Sequence, residues 1–295
     1  MDDAFSRCHP LVCALYFALV LAGTVCLTHP ALLAVSVLSG ALYARRLARL
    51  GAVRLPAGAI GAVMVLTALA NPAFTHAGVT ILTYLPSGNP LTLESVAYGL
   101  AAAAMLGGAL LWGICWSAVM TADKLTELLG RAAPALSLMV TMTLRLVPCL
   151  GRRLRTIREA QRCIRREEDR RGAAPLRQAV AALSILLTWS LESAAVTADS
   201  MKSRGYGLPG RTSFALHRLE GRDRALLAFL GLCGGYVLAG ALAGGLAWRY
   251  YPSLRGGAAG PFPVSFFLAY LALALTPVWL DVWERQALRR RKRAA

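Results

Sequence analysis

Two stretches decide how this chain is read. One is Leu150-Gly151-Arg152-Arg153-Leu154-Arg155-Thr156-Ile157-Arg158-Glu159-Ala160-Gln161-Arg162-Cys163-Ile164-Arg165; the other is Ala198-Asp199-Ser200-Met201-Lys202-Ser203-Arg204-Gly205-Tyr206-Gly207. Both belong to a basic block, residues 145–211, set between long apolar runs. In the first, Leu150, Leu154, Ile157, Gln161 and Ile164 recur at spacings of three and four, while Arg152, Arg153, Arg155, Arg158, Arg162 and Arg165 fill the other faces. That period belongs to an amphipathic helix, whose turn of 3.6 residues stacks such positions on one side. In the second, a helical pattern meets Gly205, a residue type that accepts left-handed backbone without steric cost and so ends helices. Between them, Arg170-Arg171-Gly172-Ala173-Ala174-Pro175 breaks the pattern. Two long helices are therefore predicted, over residues 134–166 and 176–203. The start of the first is apolar over 135–150 except for Arg145, whose long stem lets its charge reach the lipid headgroups.

Working outward, the chain has 295 residues, of which 57% are hydrophobic, and a mean hydropathy of +0.53. Apolar runs at 11–27, 31–43, 57–70, 95–120, 225–248 and 264–283 read as spans, and several approach or exceed the roughly 20 residues that carry a helix across a bilayer core. They are continuous and rich in Leu and Ala, without the alternation of a membrane barrel. The fold class is all-α: a polytopic membrane protein with about six transmembrane helices plus two long cytoplasmic helices. The chain divides into N-terminal spans over 1–120, a charged helical region over 121–222, and two spans with a basic tail over 223–295.

The net charge of +17 suggests nucleic acid until it is mapped. Nineteen of the 32 Lys and Arg fall between Lys124 and Arg224. Six lie in the tail from Arg285 to Arg293, four are Arg45, Arg46, Arg49 and Arg54, and none lies between Pro56 and Asp123. Such segregation follows the positive-inside rule, so the charge reports topology, with no nucleic acid partner. Both termini are then cytoplasmic in a multi-pass protein of the cell inner or plasma membrane. The cluster at Arg45 to Arg54 marks a cytoplasmic loop, and Arg249 and Arg255 sit in an exterior one.

Smaller signals fit this frame. Thr28-His29-Pro30 makes a turn between the first two spans. Asn71-Pro72-Ala73-Phe74 leads into an exterior segment, rich in Gly, Pro and Thr up to Pro90, with room for a short hairpin. His76, in that segment, is read as bonding its own turn rather than as a ligand. Thr92 caps the next helix. Small residues at Ala101 to Ala104, Gly107 and Gly108, and glycines at 231, 234, 235, 240, 244 and 245, suit close helix packing. A short interfacial helix covers 123–129. The seven cysteines are scattered without metal-ligand spacing and read as small apolar residues; no metal site is assigned.

Several chemistries find no support. Gly205-Tyr206-Gly207-Leu208-Pro209-Gly210 matches a dinucleotide fingerprint in letters, but it follows a helix rather than a strand, and Pro209 obstructs a helix after it. No phosphate-cradling G-x-x-x-x-G-K-[ST], no H-E-x-x-H and no G-x-S-x-G is present. Glu94 and Asp281 stand only at span ends, so no ladder of intramembrane acids marks a proton-coupled carrier. The charged region divides the spans four to two, unlike the paired halves of a self-contained carrier.

The block from Thr143 to Arg211 resembles the transmembrane T component of energy-coupling factor transporters, ABC-type importers of vitamins and of cobalt or nickel. Leu144-Arg145-Leu146-Val147-Pro148, Thr156-Ile157-Arg158-Glu159-Ala160-Gln161-Arg162 and, most strongly, residues 198–207 carry the likeness. Asn71-Pro72-Ala73-Phe74 and the order of spans support it. The resemblance implies a non-catalytic scaffold with no cofactor. Its two long coupling helices would each end in a short Arg motif and dock on two ABC ATPase subunits. They would thereby move a separate membrane-embedded S component that recognises the substrate. The second motif stands here as Ser203, Arg204 and Gly205. The first departs from the family, which often continues Ala-Gln-Arg-x-Arg-Gly, whereas this chain has Arg162, Cys163, Ile164 and Arg165. Ile164 takes the usual Arg position, leaving Arg162 or Arg165 as the contact and implying two unequal ends. The alternative is a stand-alone membrane carrier or membrane-bound enzyme whose basic block binds lipid headgroups or a phosphorylated substrate.

Overall fold

The computed structural model describes residues 5–53, 55–75, 78–84, 90–164, 174–209, 219–244, 246, 248–253, 255–256 and 261–294. After a 3-10 turn at Phe5–Arg7 come α1 (Pro10–Cys26), α2 (Pro30–Arg49) and α3 (Ala57–Phe74). A hairpin of β1 (Ile81–Tyr84) and β2 (Pro90–Thr92) leads to α4 (Leu93–Val119). Next are α5 (Ala122–Ala132), α6 (Pro134–Ile164), α7 (Ala174–Ser203) and α8 (Gly221–Leu242). A second small antiparallel pair, β3 (Trp248–Arg249) with β4 (Arg255–Gly256), precedes α9 (Pro261–Ala294). The chain is all-α apart from these hairpins, and it forms two units. One comprises Met1–Thr121 and His217–Ala295, the other Ala122–Leu216.

Seven of the described helices are long and apolar enough to cross a membrane by length and composition: α2, α3, α4, α6, α7, α8 and α9. Five of these are spans read from the sequence. The expected first span, α1, is a shorter apolar helix of 17 residues. The two additions are α6 and α7, whose apolar windows reach span length once the helices are seen at their full 31 and 30 residues.

Several boundaries differ from the sequence reading. Arg45, Arg46 and Arg49 belong to α2 rather than to a loop, because arginine is a good helix former and charge alone does not stop a helix. Arg54 lies outside the described residues. Asn71-Pro72-Ala73-Phe74 is the last turn of α3, not the start of the exterior segment. Helix α8 begins at Gly221 and ends at Leu242, with Gly244 at φ +75° just beyond, so Trp248 belongs to β3. The basic tail continues α9 to Ala294. His76 is outside the described residues.

The core of the first unit is aromatic. Phe5, Tyr16, Phe17 and Trp112 are fully buried and meet edge to face, with Phe5–Tyr16 at 5.0 Å, Tyr16–Phe17 at 5.2 Å and Tyr16–Trp112 at 6.0 Å between centroids. Their polar atoms need partners in a medium without water. Trp112 Nε1 donates to Ser36 Oγ at 3.0 Å, and Ser36 and Thr24 hydroxyls lie 2.6 Å apart. Tyr16 donates to the Ala274 carbonyl at 3.0 Å, and the Tyr270 hydroxyl lies 3.3 Å from Thr24. This network ties α1, α2, α4 and α9 together. Close helix approach follows the glycines only in part. Gly107 faces Met64 and Gly234 faces Leu19 with no room for a Cβ, whereas Gly231 and Gly235 face open space.

The two ends of this unit differ in chemistry. At one, Arg7 pairs with Glu284 and Arg46 with Asp281, each at 3.3 Å. At the other, Tyr250 donates to the Thr28 carbonyl at 2.8 Å, and the His29 ring lies 4.9 Å from Trp248 and 4.8 Å from Phe267. His29 caps α2, its Nδ1 accepting from the Ala31 amide at 3.3 Å; burial lowers its pKa from 6.5. Thr92 Oγ1 caps α4 by accepting from the Ser95 amide at 3.3 Å. Glu94 accepts from the Thr80 amide and hydroxyl at 3.2 and 2.9 Å, which fastens the first hairpin to that helix.

Candidate functional site

The second unit holds the residues that the sequence singles out. Helix α5 is bound to the start of α6 by Ser137, whose hydroxyl donates to the Thr126 carbonyl at 2.6 Å and whose amide donates to the Ala133 carbonyl at 3.0 Å. Along α6 the predicted stripe is the protected one. Leu150, Leu154, Ile157 and Gln161 are half-buried, while Arg152, Arg153, Arg155, Arg158 and Arg162 are exposed. The side chain of Ile164 is not among those described.

Helices α6 and α7 meet where the Arg153 guanidinium carbon lies 4.5 Å from the centre of the Trp189 ring. From that point they frame a cleft of about 620 Å³ between residues 142–149 of α6 and 189–201 of α7. Descending numbers on one helix accompany ascending numbers on the other, so the pair runs antiparallel. At a rise of about 1.5 Å per residue, Arg162 stands ~13 Å beyond Arg153, and Arg204 stands ~22 Å beyond Trp189 in the opposite direction. The two arginine motifs are therefore not gathered into one site. They occupy opposite ends of the helix pair.

The Arg204 end is built in detail. Gly205 takes φ +78° and Gly207 φ +94°. The Tyr206 amide donates to the Met201 carbonyl at 3.0 Å and the Gly205 amide to the Lys202 carbonyl at 3.0 Å. These two bonds form a Schellman motif, which satisfies carbonyls that a helix end otherwise leaves bare. Arg204 is the last residue before the left-handed glycine, and its side chain is exposed. Ser203 turns inward on its own helix, donating to the Ser200 carbonyl at 2.9 Å. The result is an outward arginine held on a closed helix end, with Lys202 also exposed in the last helical turn. At the other end, Arg162 and Cys163 are exposed in the last described turn of α6, Ile164 closes that helix, and Arg165 lies outside the described residues.

Sequence reasoning does not single out Arg153 and Trp189 as a pair. A signal does exist: Trp189 is the one aromatic residue of α7, on its apolar side. Among the described residues no three His, Cys, Asp or Glu side chains gather as metal ligands, and the seven cysteines are free thiols. The stretch after Ser203 is a helix end followed by turns through Pro209, and α7 rather than a strand precedes it.

A family model named CbiQ, described as "Cobalt transport protein", matches residues 7–214, more than half of the chain. The chain belongs to the CbiQ family of cobalt transport proteins. No curated protein matches it. The family match takes in α1 to α7 and both arginine motifs, and stops before α8 and α9. A multi-pass membrane component of a transport system follows from family and fold together.

Proposed function

We propose that this CbiQ-family chain is the non-catalytic coupling subunit of an energy-coupling-factor importer. In this reading α6 and α7 carry motion from two ABC ATPase subunits to a separate membrane-embedded S component. The observation that carries it is the exposed Arg204, fixed on a Schellman-capped helix end opposite the Arg162 end. A guanidinium is suited to such docking because its planar fork makes two parallel charge-assisted bonds to a carboxylate. Two such ends, pointing away from each other, suit two ATPase subunits rather than one. Residues 121–222 form the coupling region between the membrane segments 1–120 and 223–295. Both termini face the cytoplasm on the positive-inside argument. The family's name makes cobalt ion the first cargo to test, with nickel and vitamins next.

Arg162 and Arg165 are the candidates at the first end, with Cys163 and Ile164 between them. The second end, Ser203 to Gly205, carries the stronger contact. The test is Arg204→Glu in the whole transporter, reading ATPase co-purification and cobalt uptake. Truncating such a contact costs about 2–5 kcal/mol, enough to lose the subunit on purification. Retention of both ATPases with normal uptake would overturn the proposal.

A further inference from the structure

The cleft between α6 and α7 has a chemistry of its own. Its walls are mainly apolar, with Met142 and Leu146 on one side and Met201 on the other, yet Arg145, Ser193 and Thr197 also line it. Arg145 is the one charge in the apolar start of α6, and it has no ion pair or hydrogen bond among the described residues. The Thr197 hydroxyl donates to the Ser193 carbonyl at 2.7 Å, while the Ser193 hydroxyl has no acceptor among the described residues. Among the described residues no acidic side chain lines the space. Two donors, one of them cationic, thus open onto an apolar slot of 620 Å³, within the size range of ligand sites, about 300–1,000 Å³.

We propose that this cleft binds one anionic phospholipid, with its phosphate on Arg145 and Ser193 and an acyl chain along Met142, Leu146 and Met201. The charge selects the headgroup, because a guanidinium meets phosphate oxygens in bidentate fashion. The apolar walls select an amphiphile over free phosphate, which would leave them facing water. Both helices carry windows apolar enough for a bilayer, so lipid chains have access to the slot. This goes beyond the coupling role and does not depend on it.

The test uses the full chain in vesicles containing lipids brominated on the acyl chain, which quench nearby tryptophan. Trp189 lines the cleft, and its share of the emission is the difference between the chain and its W189F variant. Expected is stronger quenching of that share by brominated phosphatidylglycerol than by brominated phosphatidylcholine. R145Q should cut the preference by about fivefold, the scale of one basic side chain at an anionic surface. R145K should keep most of it, and R158Q, an exposed arginine outside the cleft, should keep all of it. Equal quenching by the two lipids overturns the proposal, as does an R158Q loss equal to that of R145Q. Loss of the preference on adding inorganic phosphate would overturn the lipid in favour of a soluble anion. No ATPase enters these measurements, so their failure is separate from failure of the Arg204 test.

Discussion

Arg153 sets its guanidinium carbon 4.5 Å above the centre of the Trp189 ring, and this contact joins α6 to α7. Arg153 is exposed and Trp189 half-buried, so the attraction belongs at the modest end of cation–π energies, about 0.5–1 kcal/mol. Its importance is positional, because it lies between two long helices whose ends carry the arginine motifs. Arg153→Ala and Trp189→Leu, made singly and together, are expected to show a coupling of that size in thermal unfolding of the detergent-solubilised chain. Strictly additive losses would mean that the contact contributes nothing to holding the helices.

A second pair bears on α9, which lies outside the family match. Arg46 on α2 and Asp281 on α9 are 3.3 Å apart, with side chains 31% and 9% exposed. Arg46 Nη1 also lies 3.4 Å from the Val278 carbonyl. Removing the arginine takes a cationic partner from a nearly buried carboxylate, and the partial exposure of Arg46 moderates the cost to about 2 kcal/mol, below the range for a fully buried pair. Arg46→Met should therefore lower the unfolding temperature more than Arg46→Met with Asp281→Leu, which removes the nearly buried charge as well. If the double variant is the less stable of the two, Asp281 stabilises the fold through contacts other than Arg46.

These two contacts also mark where sequence reasoning stops. The protected stripe Leu150, Leu154, Ile157 and Gln161 is legible because helical periodicity is local, and so is the stop at Gly205, since a left-handed residue leaves its mark in composition. The Thr92 cap is legible for the same reason. Arg46 and Asp281 are 235 residues apart, and no local pattern couples them. The cluster around Arg46 reads as a loop when charge is taken for exposure, whereas the helix runs on and folds Arg46 against α9. Arg153 with Trp189 is hidden in the same way: each sits on a recognisable face, but the crossing point depends on how two whole helices pack. The opposite placement of Arg162 and Arg204 likewise needs the antiparallel pairing, which no spacing within either motif contains.

His29 gives a pH dependence whose sign follows from its surroundings. Burial lowers its pKa below the ordinary 6.5, and its Nδ1 must stay unprotonated to accept from the Ala31 amide. With the folded value below the unfolded one, the unfolded chain takes up a proton first as pH falls. Stability from this residue is full above about pH 6.5 and is lost as pH drops toward the folded value. Thermal unfolding followed from about pH 8 to pH 5 should show a decline that His29→Asn reduces, since asparagine caps without titrating. An identical decline in both proteins would assign the effect to other groups.

Gly205 offers the sharpest separation of structure from charge at the Arg204 end. At φ +78° it closes α7, and a side chain there costs roughly 1–2 kcal/mol from the clash of Cβ with the following carbonyl. A Cβ at this position would also come 3.1 Å from Leu208 Cδ1, a flexible neighbour able to give way. Gly205→Val should thus leave the rest of the chain folded while loosening the bonds from Tyr206 to Met201 and from Gly205 to Lys202. Hydrogen exchange at the amides of positions 205 and 206 is expected to speed up, with the core of the first unit unchanged. If Arg204 docks because its backbone is held, this variant should weaken ATPase co-purification with the arginine intact. Gly205→Asn, which tolerates left-handed backbone, should restore most of it. Equal loss in the valine and asparagine variants would place the requirement on the glycine surface itself and not on the geometry of the helix end.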